Sequence, residues 1–258
     1  MYTLSTLYAL RQHLGLEADD TSDDQRLLDA LQAASATIER HTRRAFQPRL
    51  ASIAHDLNLR DVRELLLKDD LLTLESITNG DGSSIANDDV IQVADSILRL
   101  TKGNAFTYDE TPIASILVTG IWGYHPDWAQ AWADSGDTVQ DVSLSDSTTS
   151  ITVTDADAGL APRFQVGQLL RIDDEYLHIT AIDTSTNILT VKRGVNGTVA
   201  SSHTNGTSIE VYQMPHDVSQ LTLRWALWLY REPDNFATQL PPMLEQSLQG
   251  LRRVSVLS

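Results

Sequence analysis

Apolar residues recur at helical spacing through one long stretch of the chain, residues 21–48. Side chains three and four positions apart share one face of a helix, so this spacing predicts an amphipathic helix of about six turns. Ser22 and Gln25 fit a capping box at its start, and Pro48 prevents its continuation. A stripe this long must be covered by other parts of the chain or by another subunit. Its main apolar positions are Leu27, Leu31, Ala34 and Ile38.

Three further helices are predicted from the same signals. The first covers Leu4–Leu14, with Thr3 as its cap and Gly15 as its end. The other two cover residues 215–233 and the stretch after residue 241, and both begin at prolines, which suit the first turn of a helix. Their inward faces are Val218, Leu221, Trp225, Trp228 and Leu229 in one helix, and Leu244, Leu248 and Leu251 in the other.

The pattern changes after Pro48. Short apolar runs separated by Asn, Gly and Asp predict strands, and Asn79–Gly82 is a clear turn signal. We therefore predict a small, mostly antiparallel β section packed on the helices, followed by a linker or short amphipathic turn that runs to Asp141. The predicted strands lie within residues 51–59, 64–77, 90–100 and 113–120.

Residues 139–212 alternate apolar and polar positions over short runs. Such alternation predicts strands with one buried face, and turn residues separate these strands at the spacing of an all-β module. Asn196-Gly197 is a strong signal for a tight turn. Helical sequence lies on both sides of this segment, so we predict that it is an inserted all-β barrel or sandwich.

Together these patterns predict an α+β fold. A discontinuous helical domain, residues 1–138 and 213–258, would carry the small antiparallel β section, and residues 139–212 would form the inserted all-β domain. With 258 residues, the chain is long enough for two such domains.

The charge of the chain limits its partners. Nineteen Lys and Arg against 35 Asp and Glu give a formal charge of −16. Clustered Lys and Arg carry most binding to nucleic-acid phosphates, so the chain is not expected to grip DNA, although DNA can pass an acidic wall that repels it. There is no cysteine, which excludes disulfides and Cys-ligated metals. Without a long apolar run or a secretory signal, we expect a soluble protein made inside the cell.

No residue pattern points to catalysis. The seven histidines are scattered without the spacing of a metal site. Asp173-Asp174-Glu175 could supply a carboxylate pair for acid–base chemistry, but an acidic hairpin tip explains these residues more simply. Two tryptophan pairs could stack on sugars, although core or subunit contact is the simpler interpretation of the second. The pairs are Trp128/Trp132 and Trp225/Trp228. We predict no enzyme activity, no catalytic residues, no cofactor and no bound metal.

Several segments resemble one protein family. Residues 33–46, AASATIERHTRRAF, resemble the pattern AAS..I..yTgR.F.P of head–tail connector (adaptor) proteins of long-tailed bacteriophages. Val118–Tyr124 resembles that family's run into a Gly-Tyr pair, and Pro215–Val218 looks like the helix start that follows it. Residues 240–253 fit the family's usual ending. Within the predicted insert, residues 166–175, 189–198 and 203–206 are similar to small β modules of phage neck, tail and baseplate proteins.

The resemblance implies a structural virion protein. Family members form a ring of subunits, commonly twelve, beneath the portal and above the tail-side stopper or tail terminator, and genomic DNA crosses the centre without sequence-specific binding. The chain would then lie in the virion neck after synthesis in the host cytoplasm. The residues expected at the portal contact are Leu244, Leu248, Leu251, Arg252 and Arg253. Those expected in core or ring packing are Leu27, Leu31, Ala34, Ile38, Trp225 and Trp228.

A second interpretation keeps the protein in the neck or tail but changes its task. The β insert would attach to a host glycan or to another virion protein, and the helices would serve as its anchor.

Overall fold

The computed structural model describes residues 2–16, 21–101, 103–157, 162–232 and 242–253. Within these residues the chain forms four α-helices and fifteen strands in four sheets. The helices are α1 (Leu7–Leu14), α2 (Asp24–Thr42), α3 (His216–Arg231) and α4 (Pro242–Leu251). The strands are β1 (Arg49–His55), β2 (Glu64–Leu66), β3 (Leu71–Thr78), β4 (Ser84–Ile85), β5 (Val90–Ala94), β6 (Ile97–Leu100), β7 (Ile116–Trp122), β8 (Trp132–Thr138), β9 (Ser143–Leu144), β10 (Ser150–Thr152), β11 (Leu169–Ile172), β12 (Glu175–Asp183), β13 (Ile188–Lys192), β14 (His203–Thr204) and β15 (Ser208–Tyr212).

The chain divides into two compact units. The first contains residues 1–42 and 127–252, and the second contains residues 43–126 and 253–258. All four helices and strands β8–β15 belong to the first unit, whereas β1–β7 belong to the second. The predicted boundaries at 138/139 and 212/213 stay a prediction.

The helices of the first unit pack around the apolar stripe of α2, which contacts α1, α3 and α4. α1 begins after Thr6, whose hydroxyl accepts a hydrogen bond from the Ala9 N–H at 3.1 Å, so the predicted cap at Thr3 is wrong. Gly15 ends α1 with a φ of 70°, which confirms the predicted end. In the part of the chain that the structure describes, no helix is long and apolar enough to cross a membrane.

The six-stranded sheet of the first unit runs in the order β10-β13-β12-β11-β15-β8, and every pair in it is antiparallel. A separate pair, β9 and β14, completes the β structure of this unit. β10 and β8 have one neighbour each, so the sheet is open at both edges. Its buried apolar face includes Ile151, Leu170, Leu177, Leu189 and Ile209, and Phe164 from the loop before β11 packs in the same core.

The predicted fold class is wrong in two respects. Strands dominate the described residues, and the helices share one compact unit with the six-stranded sheet instead of forming a helical domain of their own. The expected barrel is also absent from the described part of the chain, because the sheet does not close. β8 also replaces part of the predicted linker: its sequence, WADSGDT, has no apolar alternation, yet its backbone pairs with β15 and extends the sheet.

The second unit has two antiparallel sheets, in the orders β1-β7-β3-β4 and β2-β6-β5. β7 lies between β1 and β3, and the Trp122 indole N–H at its end donates to the Ala51 carbonyl at 2.8 Å. Both sheets contribute to one apolar core. Its fully buried members include Leu65, Ile77, Leu98, Ile116, Val118 and Trp122.

Candidate functional site

Residues from three segments of the family resemblance meet in the second unit, together with one aspartate. We call this group the motif cluster. Three of its parts are an arginine and a phenylalanine after α2, a Gly-Tyr pair after β7, and an arginine after α4. Each part contacts the loop before β3, another of these parts, or both. The motif cluster consists of Arg44, Phe46, Asp70, Gly123, Tyr124 and Arg253.

Tyr124 forms the aromatic side of the motif cluster. Its backbone N–H donates to the Ala45 carbonyl at 2.8 Å. The rings of Tyr124 and Phe46 pack edge to face, and their centroids are 6.0 Å apart. The Arg44 guanidinium carbon lies 3.7 Å from the Tyr124 ring centroid, which is the geometry of a cation–π contact.

Asp70 forms the charged side. Its side chain is only 4% exposed, and Arg253 Nε donates to one carboxylate oxygen at 3.1 Å, whereas Arg44 Nε lies 3.4 Å from the other. The Gly123 N–H donates to the Asp70 carbonyl at 2.9 Å. Burial raises the pKa of the Asp70 carboxyl, although the guanidinium charges of Arg44 and Arg253 act in the opposite direction.

The Arg253 guanidinium is also held by the backbone. It donates to the Leu67 carbonyl at 2.6 Å and to the Lys68 carbonyl. A guanidinium has five N–H donors in one plane, so it can reach one carboxylate and two carbonyls at the same time. The ammonium group of a lysine could not donate to all three acceptors in this geometry. The arrangement can therefore fix an arginine side chain.

Backbone conformation explains two positions of the resemblance. Gly123 has a φ of 148°, and a Cβ there would lie 3.0 Å from the Gln47 carbonyl oxygen. In the family pattern yTgR, the glycine aligns with Arg43, which follows the last residue of α2 and has a φ of 57°. A left-handed residue after a helix is the usual helix end, and glycine adopts it without the strain that a Cβ causes.

Arg43→Gly is therefore expected to raise the free energy of unfolding by about 0.5–1 kcal/mol, because the left-handed strain is removed. Denaturant unfolding followed by circular dichroism measures this change. Arg43→Ala keeps a Cβ and is the matched control, with an expected change within about 0.5 kcal/mol of zero. Equal stabilisation by both substitutions would attribute the gain to the lost charge instead.

A buried histidine lies close to the motif cluster in the second unit. His55 is fully buried, its Nδ1 accepts from the Lys68 backbone N–H at 3.1 Å, and its ring lies 5.4 Å from that of Trp122. Burial, together with the positive charge of Lys68, lowers the pKa of His55 from 6.5 to about 4. The folded state thus keeps His55 neutral at pH values where the unfolded chain would protonate it.

This histidine should make stability depend on pH. Since the folded pKa lies below the unfolded value, the stabilisation is complete above pH 6.5 and falls by about 1.4 kcal/mol per pH unit towards pH 4. The glutamine of His55→Gln cannot titrate, so the free energy of unfolding of this variant should fall less than that of the wild type between pH 6.5 and pH 4. Urea unfolding at several pH values measures both slopes. His13→Gln, at an exposed position, should keep the wild-type slope. An unchanged slope in His55→Gln would contradict this account.

Comparison with known proteins adds a weak structural similarity. No protein-family model matches the chain, and no curated protein matches it. Among solved structures it is similar to a chain of the "Neck of empty GTA particle computed with C6 symmetry", with a TM-score of 0.35 and 14% sequence identity, over 97% of this chain and 90% of that chain. A similarity of this size carries no argument about fold or function. The residues themselves must support any functional conclusion.

The structure places the residues expected at the portal contact in two environments. Leu244, Leu248 and Leu251 are buried in the first unit, where α4 contacts α2 and α3. Arg252 is exposed, whereas Arg253 belongs to the motif cluster. Their role in portal binding stays a prediction.

The residues expected in core or ring packing lie within the helical part of the first unit. All of them are buried except Trp228, which is half-buried. His41 lies beside Trp225, with ring centroids 6.2 Å apart. Whether any of these residues also packs in a ring stays a prediction. The buried ones are Leu27, Leu31, Ala34, Ile38 and Trp225.

The carboxylates at 173–175 separate into two roles. Asp173 and Asp174 are the two turn residues between β11 and β12 and are exposed, as expected for a hairpin tip. Glu175 is fully buried, and both of its oxygens accept from Arg193, at 2.7 and 2.6 Å. Burial acts to raise the pKa of Glu175, but hydrogen bonds from Arg193, the Ser201 N–H and His203 outweigh it, so the pKa lies below its usual value.

His203 completes this buried network, which sequence reasoning missed. Its Nε2 lies 2.9 Å from Glu175 and its Nδ1 lies 2.8 Å from Asp173. Each ring nitrogen of His203 thus lies within hydrogen-bond distance of a carboxylate oxygen. Arg193 also donates to the carbonyls of Ser145 and Thr148. The network thus ties together several loops of the β structure, and no periodicity in the sequence could have indicated it.

The pair Trp128/Trp132 does not form an open sugar platform at Trp132. The Arg171 guanidinium carbon lies 4.6 Å from the Trp132 ring centroid, and the rings of Tyr176 and Tyr212 lie 5.2 and 5.3 Å from it. A stacked sugar needs a free aromatic face, and these neighbours surround the ring. Among the residues described, no group of three or more His, Cys, Asp or Glu has the geometry to hold a metal ion.

Proposed function

We propose that the chain is a structural protein of a phage-like virion neck, a head-to-tail adaptor that forms an oligomeric ring beneath the portal and surrounds the DNA passage. One observation supports this proposal. Arg44 and Phe46, Gly123 and Tyr124, and Arg253 come from three segments that resemble the adaptor family, and they meet in one cluster. A chance likeness between short segments gives no reason for their side chains to converge.

The physical properties of the chain suit this role. A formal charge of −16 keeps DNA from adhering to a passage through which it must move. The ion pairs and ring contacts of the motif cluster hold distant segments of the chain together, which suits a protein that acts by assembly. We propose accordingly that the chain is not an enzyme. Subunits that meet through two different surfaces can close into a ring when the rotation between them is fixed.

Cryo-electron microscopy of purified virion necks tests the proposal directly. The expected result is a closed ring of this chain, coaxial with the portal, on the side that faces the tail. A protein that stays strictly monomeric inside intact virions would overturn it.

The predicted portal contact gives a sharper test. Arg252→Glu should weaken binding of the purified portal by roughly fivefold or more, because a charge at the rim of the contact is reversed. Arg224→Glu reverses the charge of an exposed arginine of α3 in the same unit and should leave binding unchanged. Biolayer interferometry with immobilised portal measures both affinities. Equal effects of the two variants would indicate a general dependence on charge instead of a contact at Arg252.

A binding module of the neck or tail is the second candidate. Val142 and Val199 lie within the β-rich segment and are 92% and 82% exposed, and exposed apolar side chains often mark contact sites. Apolar valine side chains suit contact with another protein better than contact with a polar glycan, so these two residues favour another virion protein as the partner. Binding of the whole chain to a glycan array would favour the glycan instead, and crosslinking to a second virion protein through these residues would favour the protein.

A further inference from the structure

Four buried polar atoms of the second unit have no hydrogen-bond partner among the residues that the structure describes. One is His55 Nε2, and the other three, Arg44 Nε, Arg49 Nε and Asp70 Oδ2, belong to residues that line one small cavity. Arg44 Nε and Asp70 Oδ2 face each other at 3.4 Å without forming a hydrogen bond. Leaving such groups unpaired in a protein interior is costly, so native structures satisfy nearly all of them with protein or with ordered water.

All three residues line the same small cavity. Its volume is about 10 Å³, and its walls are Arg44, Ala45, Arg49, Asp69, Asp70 and Gly123. This volume is at the lower limit for one water molecule and is too small for a phosphate or any organic ligand. The cavity and the unpaired atoms are independent observations that coincide at one position.

The chemistry of the three atoms restricts the ligand further. Two N–H groups require an acceptor, whereas the carboxylate oxygen requires a donor. A metal cation would face two donors at close range, and a halide would face the carboxylates of Asp69 and Asp70. Water accepts two hydrogen bonds and donates two, so it can satisfy all three atoms at once.

We propose that this cavity is a binding site for a single structural water molecule that links Arg44, Arg49 and Asp70. The water makes the motif arginine part of a continuous network: Arg44 contacts Tyr124 through its guanidinium face and reaches Asp70 through the water. Arg49 is the first residue of β1, so it connects this network to that strand. Its guanidinium also pairs with Asp69. The motif cluster thus includes a buried water molecule that links its arginine and aspartate side chains.

A high-resolution crystal structure of the whole chain tests the site. We expect one water peak within about 3.2 Å of Arg44 Nε, Arg49 Nε and Asp70 Oδ2. A second crystal, soaked in sodium bromide, should show no anomalous signal there. An anomalous bromide peak would mean that the site takes an anion, and a cavity closed by direct contact between these atoms would mean that it takes nothing. Either result overturns the proposal.

Two substitutions at a wall of the cavity give an independent readout in solution. Ala45→Ser adds a hydroxyl that can replace the water, and Ala45→Cys adds a group of similar shape that hydrogen-bonds weakly. Both variants should lose one long-lived water in oxygen-17 magnetic relaxation dispersion. The unfolding midpoint should stay near the wild-type value in Ala45→Ser and fall in Ala45→Cys. Equal midpoints, or an unchanged number of long-lived waters in both variants, would contradict the assignment.

Discussion

Gly120→Ala is expected to lower the free energy of unfolding of the second unit by about 3 kcal/mol. A Cβ at this position would lie 2.3 Å from the Thr73 carbonyl oxygen and 3.0 Å from a methyl carbon of Leu71. The oxygen belongs to the backbone of β3, and Gly120 belongs to β7, which is hydrogen-bonded on both sides. Neither strand can move without breaking its pairing, so the overlap cannot relax cheaply.

Denaturant unfolding followed by hydrogen exchange of individual backbone amides measures this loss, because amides within residues 43–126 report on the second unit and those of α4 report on the first. Gly250→Ala is the matched control, because a Cβ there has no atom within 4 Å. Alanine favours a helix over glycine by roughly 0.5–1 kcal/mol, so this control should stabilise α4. A Gly120→Ala protein as stable as wild type would show that β7 and β3 do not approach as closely as described.

Glu175→Gln is expected to destabilise the first unit by about 3–5 kcal/mol. The carboxylate is fully buried and accepts from Arg193, His203 and the backbone N–H groups of Gly194 and Ser201. Glutamine keeps the shape but removes the charge, so the buried Arg193 guanidinium loses its counter-ion. Its amide nitrogen would also present a donor to groups that already donate.

Glu210→Gln provides the matched control for this experiment. Glu210 accepts from Arg171 at 2.6 Å, but both side chains are about one-third exposed. Water screens such a pair, so its loss should cost at most about 1 kcal/mol. Thermal and denaturant unfolding of the two variants compare a buried ion pair with an exposed one in the same sheet. Equal losses would mean that the burial of Glu175 does not govern its contribution.

Local sequence signals succeeded where a short segment determines its own conformation. The stripe of α2 is buried as its spacing predicts, and Gly15 ends α1 in the left-handed conformation. Asn196 and Gly197 both have positive φ, as expected for a tight turn. In each case the interacting atoms lie within a few residues of one another, so the pattern is present in the sequence itself.

The motif cluster was only partly predictable. The family resemblance pointed to Arg44, Phe46, Gly123, Tyr124 and Arg253, but nothing in the sequence indicated that Asp70 is the carboxylate they surround. Asp69 and Asp70 are adjacent and alike in sequence, yet Asp70 is 4% exposed and Asp69 is 39% exposed. The path of the backbone before β3 buries the Asp70 side chain and leaves the Asp69 side chain at the surface.

Local residue patterns are sufficient to locate the helices, the ends of several of them and the tight turns. How these pieces combine depends on contacts that form only in the folded chain. β8 is a strand because β15 lies beside it, and helices and strands share one unit because their apolar faces bury one another. Helical and turn preferences arise from neighbours along the chain, whereas strand pairing and burial arise from residues that only folding brings together.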